Sequence, residues 1–186
     1  DCAFGKDRAG NIAWLKKKTK QNNISLDIIS PVKVRKQIVS SSKIRTLIQK
    51  NNITLANLML NRTFEFSGKH IGGNKIGRKI GFPTINLKVN KTKVLPRGIF
   101  ICSVSDKKGQ IYPAVLNIGI RPTIDIKKHD LSVEIHLLNY SGVWKEKNVK
   151  CSVYKYIRSE KKFKNLEILK QNINADISKA QKFFNL

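Results

Sequence analysis

The chain has 186 residues, of which 40% are apolar and 26% charged. That balance supports a packed core and excludes wholesale disorder, and the length fits one domain with part of another. The apolar run of about 18 residues that a membrane helix needs is missing. Cys2, Cys102 and Cys151 are odd in number and far apart, with no C-x-x-C pair. This excludes a disulfide framework and a zinc knuckle, and points to a reducing cytoplasm.

The net charge is +25, from 37 Lys plus Arg against 12 Asp plus Glu. Such an excess has two readings: a nucleic-acid footprint or a compositional bias towards Lys, Asn and Ile. Runs such as Lys16-Lys17-Lys18 and Lys161-Lys162 are short, and the lysines are scattered through every segment. Aromatic residues make up 8% and few adjoin the lysine clusters, so the stacking groove of a single-strand binder is not expected. The bias reading is favoured, with no specific nucleic acid, membrane or obligate protein partner expected. Either way, the field draws in anions.

The chain begins at Asp1 rather than Met, so it is expected to come from inside a larger protein or to have lost a front end. In residues 1–39, Gly5 and Gly10 bracket a basic turn, Ile12 to Leu15 is an apolar patch, and Ser25 to Val32 reads as one strand. Residues 40–61 read as helical. Ser40, Ser41 and Ser42 offer N-caps, and Ile44, Leu47 and Ile48 fall on one face. Asn51-Asn52 breaks the pattern, and Thr54 is placed to cap a second helix with Leu55, Leu58 and Met59. A domain boundary is expected near residue 61.

From Thr63 the texture changes to short β-like runs at 63–71, 84–90, 98–105, 110–120, 131–140 and 147–157, separated by Gly, Pro, Asn and Asp. Val133, Ile135 and Leu137 share one face of their strand, and Glu134 and His136 the other. Six such strands suggest a mainly β fold, a closed antiparallel barrel that leaves no sheet edge. The tail repeats Leu166, Leu169, Ile173, Ile177, Ala180 and Phe184 at helical spacing, a stripe expected to pack on the barrel.

Chemistry concentrates in Ile71-Gly72-Gly73-Asn74-Lys75-Ile76-Gly77-Arg78-Lys79-Ile80-Gly81-Phe82-Pro83-Thr84-Ile85-Asn86-Leu87. Closely spaced glycines let backbone N–H groups approach phosphate oxygens, and Lys75 and Arg78 add charge. Thr84 and Asn86, two apart in a predicted strand, share a side. Their oxygens suit a hard cation such as Mg²⁺. The spacing matches neither a Walker A loop nor a Rossmann fingerprint, and on spacing alone a plain glycine loop with a satisfied threonine is the better reading. His70, His129 and His136 lack metal-ligand spacing and read as structural. Tyr154 and Tyr156 read as barrel packing.

Gly77 to Asn86 resembles the riboflavin kinase signature G-R-x-I-G-F-P-T-A-N, with Ile85 in place of Ala. The resemblance continues in order. Tyr112 to Thr123 is similar to Y-P-G-V-A-N-I-G-x-R-P-T, Val133 to Leu137 matches V-E-x-H-L, and Ile157 to Phe163 is similar to I-R-x-E-x-x-F. It covers residues 62–186 and implies a six-stranded Greek-key barrel with a C-terminal helix. The implied activity is transfer of the γ-phosphoryl group of MgATP to riboflavin, giving FMN and ADP. Site roles implied by the resemblance are a Mg²⁺ and phosphate site at Thr84 supported by Asn86, and a nucleotide pocket along Gly72, Gly73, Lys75, Gly77, Arg78 and Gly81. They also include a general base at Glu134 and flavin-side positions at Asn117, Arg121, Arg158, Glu160 and Phe163. Alternation alone makes Glu134 a solvated surface residue; the family register makes it catalytic.

Val39-Ser40-Ser41-Ser42-Lys43-Ile44-Arg45 resembles the I-S-S-T-x-I-R motif of FMN adenylyltransferases, with Ser42 replacing Thr. Asp1 to Gly10 resembles the end of D-F-x-F-G-x-x-R-x-G, with Cys2 and Ala3 departing. Residues 1–61 therefore resemble the end of an α/β nucleotidyltransferase domain, with Ser40, Ser41 and Arg45 as its remaining phosphate-side residues. Plain helix capping explains the serines equally well. The H-x-G-H motif of that family is missing from this sequence, so this chain is expected to stop at FMN, and a longer form to continue to FAD. Two competing readings are a basic β-barrel that binds nucleic acid and a flavin-binding remnant without turnover.

Overall fold

The structure, a computed structural model, describes residues 3–73, 76–120 and 131–186. The chain forms two compact units, Asp1–Ile38 and Val39–Leu186.

In the first unit, helix α1 (Ile12–Gln21) is capped by Asn11, whose Oδ1 accepts from Trp14 N at 3.0 Å. A two-stranded hairpin follows, β1 (Lys33–Val34) and β2 (Gln37–Ile38), turning through Arg35 and Lys36 at positive φ. The strand expected over Ser25 to Val32 does not form. No neighbouring strand among the described residues offers it a ladder, and an unpaired strand has no stability of its own. Helix α1 buries none of its residues.

The second unit opens with α2 (Ser41–Gln49) and α3 (Ile53–Leu60). Ser40 caps α2 as expected, its Oγ accepting from Lys43 N at 3.2 Å. The cap of α3 is Asn52, not Thr54: Asn51 takes a left-handed φ of 61°, which turns the chain two residues earlier. The compact unit therefore begins at Val39, whereas the sequence texture changes near residue 61. The reason is Asn57, whose Nδ2 donates to Val153 O at 2.9 Å and whose Oδ1 accepts from Phe64 N at 2.7 Å. With Ile53, Ala56 and Met59 buried, α3 is stitched to the barrel that follows it.

That barrel comprises β3 (Phe64–Ile71), β4 (Ile85–Val89), β5 (Gly98–Ser105), β6 (Ile111–Ile120), β7 (Leu131–Leu137) and β8 (Asn148–Arg158), with a short helix α4 (Ile76–Lys79) between β3 and β4. The strands close antiparallel in the order β3-β4-β7-β6-β5-β8. The β4–β7 and β5–β8 pairs skip over chain neighbours, as a Greek key requires. Phe100, Val104, Leu116, Ile118, Ile135, Val149 and Val153 are fully buried, each contributing about 1.5–3 kcal/mol of apolar burial. Cys102 and Cys151 lie among them as free thiols. Burial first, and then the neighbouring Cys151, push the Cys102 thiol well above its ordinary range.

Helix α5 (Leu166–Phe184) packs on the outer face of β5 and β6. Its later turns meet the barrel, with buried Ala180 contacting Ile101 and Leu138 while Ile177 and Phe184 pack against the same cluster. Strand β5 is thus covered on both faces. Among the described residues no helix is long and apolar enough to cross a membrane.

Candidate functional site

One register row organises the outer wall of the barrel. Asn86 of β4 lies opposite Glu134 of β7, and Glu134 opposite Asn117 of β6. Asn117 in turn pairs with Ile99 of β5, and Ile99 with Arg158 of β8. Directly paired residues project to one side of a sheet. The adjacent row, Ile85, Ile135, Leu116 and Phe100, fills the interior, so the row carrying Glu134 faces outward. Arg158 joins it because the β5–β8 pairing slips by one residue between Ile99 and Phe100. The extra residue in β8, Ile157, re-aims the next side chain, as bulges do.

Over this row lies a cavity of about 300 Å³ whose walls include Gly77, Phe82, Thr84, Asn117, Glu134 and His136. Its far side is formed by Arg158, Glu160 and Phe163 with Leu169, Ile173, Asp176 and Ile177 of α5. The apolar stripe of α5 is therefore divided. Its later turns pack on the barrel, and its earlier turns give the cavity an apolar side. Glu134 Oε1 accepts from Ser132 Oγ at 3.0 Å. Asn117 lines this cavity, and its Oδ1 is buried with no hydrogen-bond partner among the described residues. His136 Nδ1 is 2.8 Å from Pro83 O. A carbonyl only accepts, so Nδ1 carries the hydrogen.

Thr84 also lines a second, smaller cavity of about 80 Å³, with His70, Arg78, Tyr140 and Trp144. Tyr140 and Trp144 stack edgewise with Tyr112 to form an aromatic wall. The glycine segment winds tightly beside it, Gly77 O accepting from both Ile80 N (3.2 Å) and Phe82 N (2.7 Å). Gly81 sits at φ +94°, a conformation that favours glycine.

The larger cavity thus brings together seven of the residues singled out from sequence: Gly77, Thr84, Asn117, Glu134, Arg158, Glu160 and Phe163. Arg78 joins Thr84 on the smaller one. Asn86 lines neither; its amide lies under Gly73, where a Cβ would collide with it. Gly72 and Gly81 also lie off both walls. Ser40, Ser41 and Arg45 are exposed on and just before α2, away from either cavity. Lys75 and Arg121 fall outside the described residues, as does His129.

Two departures from expectation concern Arg158 and His136. Arg158 is largely committed to protein partners. Its Nε donates to Asp176 Oδ1 and Oδ2 (3.1 and 3.0 Å), Nη2 to Oδ2 (2.6 Å), and Nη1 to Ser159 O (3.0 Å). His136, read as structural, lines the larger cavity as well as bracing Pro83. Asp176 went unnoticed in the sequence, although one acid inside the Ile173, Ile177, Ala180 stripe was the signal.

Hard-cation ligands are sparse. Among the described residues no cluster of three His, Cys, Asp or Glu side chains can hold a metal. Of the two oxygens expected to hold Mg²⁺, the Thr84 hydroxyl borders the cavities and the Asn86 amide does not; Thr84 would supply a minority of the ion's shell, with phosphate and water supplying the rest. This is how Mg²⁺ usually binds with nucleotides.

Comparison with known proteins adds the following. A family model described as "Flavokinase: Riboflavin kinase" matches residues 60–184. A bifunctional riboflavin kinase/FMN adenylyltransferase of Buchnera aphidicola subsp. Schizaphis graminum is 38% identical, over 100% of this chain and 60% of that protein. The protein of the same name from Pseudomonas fluorescens is 33% identical, over 97% of this chain and 58% of its own length. A crystal structure described as a macrolide-efflux protein from Streptococcus pneumoniae is similar with a TM-score of 0.85 and 25% identity, covering 97% of this chain and 58% of that one. The chain spans about three fifths of the length of the relatives it matches.

Proposed function

Since the chain belongs to the riboflavin kinase family, we propose that residues 62–186 transfer the γ-phosphoryl group of MgATP to the 5′-hydroxyl of riboflavin, giving FMN and ADP, in the cytoplasm. The observation that carries this reading is Thr84, which borders both cavities, while Glu134 and Asn117 line only the larger one.

Riboflavin occupies the larger cavity. Its flat ring system packs against Leu169, Ile173 and Phe163, and its ribityl chain runs towards Asn117 and Glu134. ATP approaches from the side of Arg78, Tyr140 and Trp144, with its phosphates passing the glycine segment and Thr84. Glu134 takes the proton of the 5′-hydroxyl as that oxygen bonds to the γ-phosphorus and the bond to the β,γ-bridging oxygen breaks, ADP keeping that electron pair. Mg²⁺ bound to the phosphates, with Thr84 as candidate ligand, would neutralise charge. The remaining work is alignment and fixed donors, and a positioned base adds about 10²–10⁴-fold.

Residues 1–61 we assign to the end of an FMN adenylyltransferase domain. The support is the Val39–Arg45 motif and the alignment of the whole chain with bifunctional relatives. Adenylyl transfer to FMN then belongs to the longer protein.

The test is incubation of riboflavin with MgATP, followed by separation of riboflavin, FMN and FAD. FMN without FAD is expected. Flavin binding with no FMN formed would overturn the kinase reading in favour of a binding remnant.

A further inference from the structure

We infer that Asp176 is a positioning residue for the vitamin side of the reaction, acting through Arg158 on Glu160 and Phe163. The inference rests on the assignment of the larger cavity to riboflavin.

Asp176 is 3% exposed, on a helix face it shares with Ile173, Ile177 and Ala180. A buried carboxylate is unfavourable unless paired and hydrogen-bonded, and apolar packing alone gives no reason for one here. The reason is the fork it offers Arg158, which receives both Nε–H and Nη2–H. A guanidinium held through two nitrogens along one edge has its plane fixed. Its third nitrogen, Nη1, then grips the carbonyl of Ser159, the first residue past β8. A second tie lies between Tyr156 Oη and Ser159 Oγ at 2.8 Å. Together these set the direction in which residues 159–163 leave the sheet.

Two wall residues depend on that direction. The Glu160 carboxylate occupies the space above Gly119 Cα where a Cβ would stand. The Phe163 ring centroid lies 5.6 Å from the Arg158 guanidinium carbon. Both residues line the larger cavity and neither lines the smaller one. Loosening the fork should therefore be felt by riboflavin and hardly at all by ATP.

The experiment compares the parent chain with Asp176→Asn and Asp176→Glu, using steady-state kinetics and riboflavin fluorescence titration without nucleotide. Asp176→Asn is expected to raise riboflavin KM and Kd about tenfold and to leave ATP KM within about twofold. Asp176→Glu, which keeps the charge, should recover most of the loss. A merely structural role would lower the melting temperature or the active fraction without separating the two KM values. If Asp176→Asn does not fold, Arg158→Lys, which retains a cation but not the grip on Ser159, must give the same riboflavin-specific rise. Equal shifts in both KM values, or none, overturn the inference while FMN formation by the parent chain stands. A parent chain that neither binds riboflavin nor forms FMN overturns the cavity assignment and the inference together.

Discussion

Asn86 and Glu134 oppose each other directly across the β4–β7 pair, which puts their Cβ atoms about 4.5–5.5 Å apart. The amide lies beneath Gly73 and the carboxylate opens into the larger cavity, so the glycine segment and the candidate base are held in one frame. A base held this way needs its charge more than its shape. Glu134→Gln is expected to lower turnover by about 10²–10⁴-fold with ATP KM within about twofold, in steady-state assays of FMN formation. Near-normal turnover would remove Glu134 from the proton transfer.

Thr84 borders both cavities. Thr84→Ala removes one oxygen from the proposed Mg²⁺ shell without adding bulk. Nucleotide affinity should fall about tenfold in the presence of Mg²⁺ and change little with excess chelator. Calorimetric titrations under the two conditions distinguish this from a simple packing loss, which would lower affinity in both.

Asn57 ties α3 to β3 and β8 through two hydrogen bonds. Asn57→Ala leaves the Val153 carbonyl and the Phe64 N–H in part-buried positions without that side chain. A destabilisation of about 1–3 kcal/mol follows, measurable as a lower urea midpoint at unchanged slope. A midpoint like that of the parent chain would mean that water replaces the amide at no loss.

Glu65 gives a pH prediction. Burial opposes its ionisation, but hydrogen bonds from Lys150 and Ser152, with the Lys150 charge, outweigh it and hold the carboxyl below its ordinary range. A lowered folded value means the contribution is fully present above the unfolded pKa and is lost as pH falls through the folded one. The stability difference between the parent chain and Glu65→Gln should therefore be largest near neutrality and vanish in strong acid. Its size is modest because the pair is partly exposed. A difference independent of pH would show that the ion pair contributes nothing.

Strand existence was legible because alternation and turn residues are local signals; five of the six expected runs match the observed strands within about one residue, and the run 131–140 overshoots β7, since the chain turns at Leu138 and Asn139, the latter at a left-handed φ of 51°. Helix α5 was equally legible from its stripe. Strand order was not, because β4 finds β7 across long stretches of chain and no local pattern encodes that choice. The site divides in the same way. The Gly77–Asn86 motif and Glu134 stood out through the resemblance to the riboflavin kinase signature, since spacing and alternation alone favoured a plain loop and a solvated surface residue. The separation of Asn86 from the cavity wall, the commitment of Arg158 to Asp176 and the dual role of the α5 stripe follow from tertiary placement. The packing of α3 onto the barrel was hidden because it depends on one asparagine, a residue that otherwise reads as a turn former.

Because Asn86, Glu134, Asn117 and Arg158 reach one side of the wall only through correct pairing of five strands, activity is tied to folding fidelity. Moving any one ladder by a single position would send its polar member into the oily interior and bring an isoleucine or leucine out in its place. A misassembled population should therefore be inert rather than sluggish, and specific activity becomes a direct count of correctly threaded molecules.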